Sequence, residues 1–282
     1  MALPADADEA LPFDSHCHLA TPLEQPADAV LVRFPRPGAC VCGTAPGRDW
    51  DAIAALARAA SDAAVGAGGG GGGAAPPAIV AGFGVHPWWA GDALPDDWPD
   101  RLCALLAAFP AAIVGEIGLD KARTGDGATM EKQMAVFEAQ LDIAARFARP
   151  VSVHCVRAFG PMLDVMRRRK PDALPPRVVF HGYTGSIDFA TSLLKLPKKV
   201  GARFYFGVGA RTTLTLAGAG ELLAALPAAR VLVESDADGG PADVAARLRA
   251  ALPALARHPA LSVAALNANF LAAMAVSSPP RA

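Results

Sequence analysis

The stretch Phe13-Asp14-Ser15-His16-Cys17-His18-Leu19 opens on apolar residues and ends in His-x-His. Side chains alternate along a strand, so His16 and His18 share one face and can grip one cation while Cys17 faces away. The same pattern recurs down the chain, where a short β-branched or apolar run stops at a potential ligand and a helix-like segment follows. Ala112 to Gly115 stops at Glu116, Val151 to Val153 at His154, Val178 to Phe180 at His181, and Val231 to Ser235 at Asp236. Three further runs, Cys40 to Thr44, Ile79 to Val85 and Arg203 to Phe206, bring the predicted strands to eight. Between them, Ala/Leu-rich segments such as Asp49 to Ala60, Thr129 to Arg146, Gly160 to Lys170 and Ala242 to Leu252 read as helices. Eight β–α alternations predict an α/β fold in which a parallel sheet closes into a (β/α)8 TIM-type barrel. His18 and Asp236 lie seven repeats apart, about 31 residues per unit, and a barrel of about 250 residues needs that spacing. Strand ends meet at one face of such a barrel, so ligands far apart in sequence converge there.

A lone histidine at a strand end is more often a hydrogen-bonded structural residue than a ligand. Six potential ligands closing five strands exceed what packing requires. His16 and His18 can hold one divalent ion with Asp236, His154 and His181 can hold a second, and Glu116 has two oxygens with which to bridge them. Two ions about 3.5–4 Å apart lower the pKa of a water and stabilise both the attacking and the departing oxygen, which is hydrolytic chemistry. Asp236 is also placed to take the water's proton, which with Glu116 makes it the candidate catalytic residue. Mixed nitrogen and oxygen ligands leave Zn, Mn, Mg or Fe open, with Mg least comfortable beside four imidazoles.

These residues carry a resemblance. Asp14 to Leu19, Gly84-Val85-His86-Pro87, Val114 to Asp120, Val153-His154-Cys155, His181 to Ser186 and Glu234-Ser235-Asp236 are similar, in order and spacing, to the motifs of TatD-like metal-dependent hydrolases. The match runs over about residues 13 to 275. The resemblance implies a distorted (β/α)8 barrel with a two-metal centre and deoxyribonuclease activity. It implies that His16, His18, Glu116, His154, His181 and Asp236 are the metal ligands and that His86 touches substrate. Typical members carry an aromatic residue after Gly-Leu-Asp, an Arg two places after the fifth-strand His, and Pro-Tyr soon after the last Asp. Lys121, Val156 and Ala237-Asp238-Gly239-Gly240 stand at those places here. In these departures the chain resembles a divergent eukaryotic branch of the family whose substrate is not established.

With 282 residues, 52% of them hydrophobic, and one repeating pattern, residues 1–282 are expected to form a single domain with a large core. The apolar stretches near Leu102 to Val114 and Leu261 to Val276 are interrupted by Pro110 and by Asn267 and Asn269, too soon to span a membrane. With an acidic N-terminus that does not read as a signal peptide, a cytoplasmic or nuclear protein is expected. Five cysteines, three of them in predicted strands, read as reduced core residues. Residues 66–78, with six consecutive glycines from Gly68 to Gly73, read as a flexible insert rather than a phosphate loop, since no Gly-Lys-Ser/Thr follows.

Net charge is −1, so recognition of a polyanion must be local. Arg167-Arg168-Arg169-Lys170 reads as a solvated helix end. Lys121, Arg157 and Arg211 follow strands four, five and seven and are candidate anion contacts at the mouth, each equally readable as a surface residue. Glu234 shares strand parity with Asp236 and is a candidate to orient a liganding imidazole from behind, or else to serve a buried structural hydrogen bond. Without Gly-x-Ser-x-Gly, or an orienting partner for Cys155 and His154, covalent catalysis ranks low. The expected substrate is a DNA or nucleotide phosphodiester, such as the 3′ end of a single DNA strand. The alternatives are an amidohydrolase-like enzyme cleaving amides or esters, and an interaction protein that keeps the metal for stability. No protein partner is readable.

Overall fold

The computed structural model describes residues 11–19, 25–67, 78–91, 93–124, 128–197 and 199–276. Most of the glycine-rich insert predicted at 66–78 lies outside them. Eight parallel strands form one sheet in chain order: β1 (Asp14–Cys17), β2 (Gly38–Cys42), β3 (Ala78–Phe83), β4 (Ile113–Asp120), β5 (Val151–Val156), β6 (Val178–Phe180), β7 (Phe204–Gly209) and β8 (Val231–Glu234). The ends of the first and last strands meet, His18 N–H donating to Ala237 O (2.7 Å) and Asp236 N–H to His16 O (2.9 Å). The sheet is thus a nearly closed barrel, as the repeat predicts.

Around it lie α1 (Ala27–Leu31), α2 (Trp50–Ala67), α3 (Trp98–Ala108), α4 (Met130–Arg146), α5 (Phe159–Arg168), α6 (Ile187–Leu194), α7 (Ala219–Ala225), α8 (Pro241–Leu255) and α9 (Val263–Met274). β4 and β5 run further than their ligand-ending pattern predicts, β5 reaching Val156 past His154. β4 continues four residues past Glu116 because Gly118, Leu119 and Asp120 pair with His154, Cys155 and Val156 of β5. A Cβ at Gly118 would collide with the His154 carbonyl, so glycine is what lets the two strands close up beside the ligands. The basic run is less solvated than its composition suggests: Arg169 is buried to 9% exposure and bridges Glu138 and Asp142 of α4, while Arg168 also pairs with Glu138. None of the helices among the described residues is long and apolar enough to cross a membrane.

Strand alternation sorts the core into two clusters. Ala39, Val41, Val114, Val153, Phe204, Phe206, Val231 and Val233 face outward and pack beneath the helices. Cys40, Cys42, Ile113, Val179, Tyr205 and Leu232 form a separate inner cluster, closed from below by Phe270, Ala273 and Met274 of α9. Asn267 and Asn269, which interrupt the apolar C-terminal stretch, fasten that cap. Asn267 Oδ1 accepts from Phe13 N–H (2.8 Å), and Asn269 Nδ2 donates to Ala228 O and Val231 O (both 2.8 Å). Above the apolar floor, inward positions carry Asp14, His16, Ser152, His154 and Glu234, together with Glu116, which a register shift in β4 between Val114 and Ile117 turns inward although Ile113 three residues before it also faces the interior. The interior is therefore apolar at one end and polar at the other, where the strands finish.

Candidate metal centre

Glu116 is 2% exposed and stands at the middle of a ring of imidazoles. Its Oε2 faces His18 Nε2 at 3.3 Å and His16 Nε2 at 3.4 Å. Its Oε1 faces His181 Nε2 at 2.5 Å, His154 Nδ1 at 2.8 Å and His86 Nε2 at 3.3 Å. Asp236, just beyond β8, places Oδ1 3.7 Å from His18 Nε2. The structure thus brings together His16, His18, Glu116, His154, His181 and Asp236. Their donor atoms make one continuous cluster: one triad is His16, His18 and Glu116, another His16, His181 and Asp236, each within 4.8 Å. The rings of His16 and His181 stack with centroids 3.9 Å apart, which joins the two halves.

Hydrogen bonds behind the rings decide which nitrogens carry lone pairs inward. His18 Nδ1 donates to the Cys42 carbonyl (2.9 Å), so in the neutral ring it is Nε2 that carries the lone pair, on the side of Glu116. His16 Nδ1 is held by Ser152 Oγ at 2.9 Å. His154 Nε2 is held by Asp120 Oδ2 at 3.3 Å, leaving Nδ1 facing the cluster. His86 differs. Its Nδ1 accepts from Trp88 N–H (3.1 Å), so the neutral ring presents a protonated Nε2, a donor rather than a ligand. Burial lowers the His86 pKa and favours that neutral form.

The charges are strongly coupled. Burial would raise the Glu116 pKa, but the imidazoles of His181 and His86 and hydrogen bonds from His154 and His16 hold it well below the usual carboxylate range. Burial would lower His18 and His154, yet hydrogen bonds and charge from Glu116, with Asp236 and Asp120 respectively, raise them to about 10 and about 9. Asp236 is likewise held low, the burial effect being outweighed by His181 and His16. An ionised carboxylate this deep demands positive charge. Two imidazole nitrogens, 3.2 Å apart and converging on one carboxylate oxygen, form a donor set that a divalent cation fits.

Glu234 lies behind the cluster, fully buried. Its Oε1 accepts from Gly182 N–H, next to His181, while His181 Nδ1 is 3.9 Å away, beyond a hydrogen bond. Its contact is with the backbone beside the imidazole. The absence of a Cβ at Gly207 makes room for its carboxyl group.

The cleft above the cluster has a volume of about 700 Å³, within the range of small-ligand sites, roughly 300–1,000 Å³. Arg211 lines it. Lys121 and Arg157 do not: both are exposed, and each follows an inward residue, Asp120 and Val156, so that strand alternation turns it outward. Arg48 and Arg247 line the cleft instead, with Trp88, Trp89 and Asp238. Arg247 is occupied, pairing with Asp238 and Asp243 and donating to Asp236 O (2.5 Å), and so clamps the loop after β8. Asp120 is a further site residue, accepting from Trp88 Nε1–H (2.7 Å) as well as holding His154.

Residues 72–273 match the family model described as TatD related DNase. The chain is 32% identical over 199 residues, 66% of this chain and 72% of the relative, to the uncharacterized metal-dependent hydrolase YjjV of Escherichia coli. It is 34% identical over 161 residues to the 3′-5′ ssDNA/RNA exonuclease TatD of Edwardsiella piscicida, covering 55% of this chain and 56% of that relative, little more than half its length. The crystal structure of the E. coli YjjV, a TatD homolog, superposes with a TM-score of 0.70 at 28% identity, over 93% of this chain and 96% of that one.

Proposed function

The chain belongs to the TatD related DNase family of metal-dependent hydrolases, and from that premise we propose that it hydrolyses phosphodiesters at the 3′ end of single-stranded nucleic acid. The carrying observation is the split of Glu116, with Oε2 facing His16 and His18 and Oε1 facing His154 and His181. That split suits a carboxylate that bridges two divalent ions, Zn, Mn or Mg, held by His16, His18, Glu116, His154, His181 and Asp236. When bound, two such ions lower the pKa of a water and offset charge on the attacking and departing oxygens.

The chain's own groups supply the rest. Asp236, kept ionised and partly open to the cleft, accepts the proton of the attacking water. His86 Nε2–H, fixed by the bond at its other nitrogen, donates to a non-bridging phosphoryl oxygen. Asp120 and Ser152 keep His154 and His16 turned inward. Arg211 at the rim meets a substrate phosphate. The E. piscicida relative, a 3′-5′ exonuclease of single-stranded DNA and RNA, supports this choice of substrate.

The test joins metal analysis of the purified protein to an assay with end-labelled single-stranded DNA and RNA in added Mg²⁺ or Mn²⁺. Two ions per chain and stepwise shortening from the 3′ end are expected. A metal-loaded protein that cleaves amides or carboxylic esters but no phosphodiester would be an amidohydrolase. One that cleaves none of these would leave the interaction-protein reading standing.

A further inference from the structure

Trp88 and Trp89 follow His86-Pro87 in a single 3-10 turn over Pro87–Trp89, and at 39% and 38% exposure they rank among the more exposed large apolar residues. Both line the cleft above the cluster. A guanidinium lies over each ring: Arg48 Cζ is 3.8 Å from the Trp89 centroid and Arg123 Cζ is 4.0 Å from that of Trp88. Among the described residues Arg48 forms no ion pair. Trp88 is rigidly seated, its indole N–H bonded to Asp120 and its ring edge-on to His86 at 4.8 Å. A hydrolytic centre has no need of two half-exposed indoles at its rim, and leaving them there keeps apolar surface in water.

We propose that Trp88 and Trp89, with Arg48 and Arg123, form a subsite that holds an unpaired nucleobase of a single-stranded polynucleotide beside the metal centre. The proposal rests on the phosphodiesterase reading and adds how a strand is recognised. An indole stacks on any base, and the guanidinium lying over each ring offers its charge to the phosphates that flank that base. An uncharged polysaccharide or an apolar peptide would leave the guanidinium groups without an anion. Net charge is only −1, so this cationic and aromatic corner, rather than the molecule's field, must attract a polyanion. In a duplex the bases are stacked on one another and cannot reach the indoles. The subsite therefore selects unpaired strands.

The probe is a short phosphorothioate-linked single strand carrying 2-aminopurine near its 3′ end, bound to the metal-loaded protein so that affinity is read without turnover. Wild-type protein should quench the fluorophore, and Trp89→Ala should raise Kd about tenfold, the scale of one lost base–aromatic stack. Trp89→Phe should recover most of the loss, with melting temperature and metal content unchanged in both variants. A strand lacking that one base should bind the wild-type protein about tenfold more weakly and Trp89→Ala no more weakly still, since the two deletions remove one interaction. Equal Kd for wild type and Trp89→Ala, additive losses, or a duplex that binds as tightly as the single strand would overturn the subsite. If nucleotides are released from unmodified strands while Trp89→Ala binds unchanged, the subsite fails and the nuclease reading survives. If the stacking signature holds but no strand is cleaved, the reverse is true.

Discussion

His16 and His18 converge on one oxygen of Glu116, and His154 and His181 on the other, so Glu116 is the residue on which both halves of the cluster depend. Glu116→Ala should drop metal content to one ion per chain or fewer and abolish hydrolysis while circular dichroism still reports a folded barrel. A variant with wild-type metal content and turnover would remove the bridging role. Asp236→Asn keeps shape and one donor oxygen but loses the proton acceptor; kcat should fall at least about 10²-fold with a small change in Tm. Turnover within a few-fold of wild type would assign the base elsewhere. At this scale the histidines and their carboxylates were legible because ligand chemistry restricts the residue types and each stops a strand. Asp120 and Ser152 were within reach too, since they share inward parity with Glu116 and His154. Trp88 left no such signal: its bond to Asp120 is made across a turn whose direction no spacing encodes. Lys121 and Arg157 show the opposite failure, because charge beyond a strand end says nothing about facing until the strand's true end is known.

At the scale of elements, the eight strands were readable as β-branched runs between helical segments, whereas α9 was not. Val263 to Met274 is apolar on nearly every side, so no periodic stripe marks it as a helix. Its place is to floor the barrel. Phe270 stacks on Phe13 with centroids 4.4 Å apart and packs with Cys40, Ile113, Val179 and Leu232. Phe270→Ala should therefore cost roughly 3–5 kcal/mol of unfolding free energy in urea titration, the usual range for emptying an aromatic core site. A loss under about 1 kcal/mol would mean that the helix merely decorates the barrel. The same floor explains why β1 and β8 need few direct bonds to each other, since Asn267 grips the start of one and Asn269 the start of the other.

For the molecule as a whole, a net charge of −1 leaves attraction of a polyanion to a few side chains at one rim. Arg211→Ala should raise KM for single strands and reduce the slope of log(kcat/KM) against log[salt] by about one, as expected when one phosphate contact is lost. Lys121→Ala, outside the cleft, should leave that slope where it is; the opposite ranking would move the strand's path to the other side of the mouth. The bonds that join the barrel's two ends also set an order of events during synthesis. Leu11 to Leu19 leave the ribosome long before β8 is made, yet Asp236 N–H must reach His16 O, Ala237 O must accept from His18, and Asn267 must catch Phe13. A nascent chain therefore carries His16 and His18 without a finished centre until the segment holding Asp236 and Ala237 has been made. Ribosome-arrested chains ending at residue 230 should be protease-sensitive and retain no metal, whereas chains long enough to free residue 276 from the exit tunnel should acquire both protection and ions together.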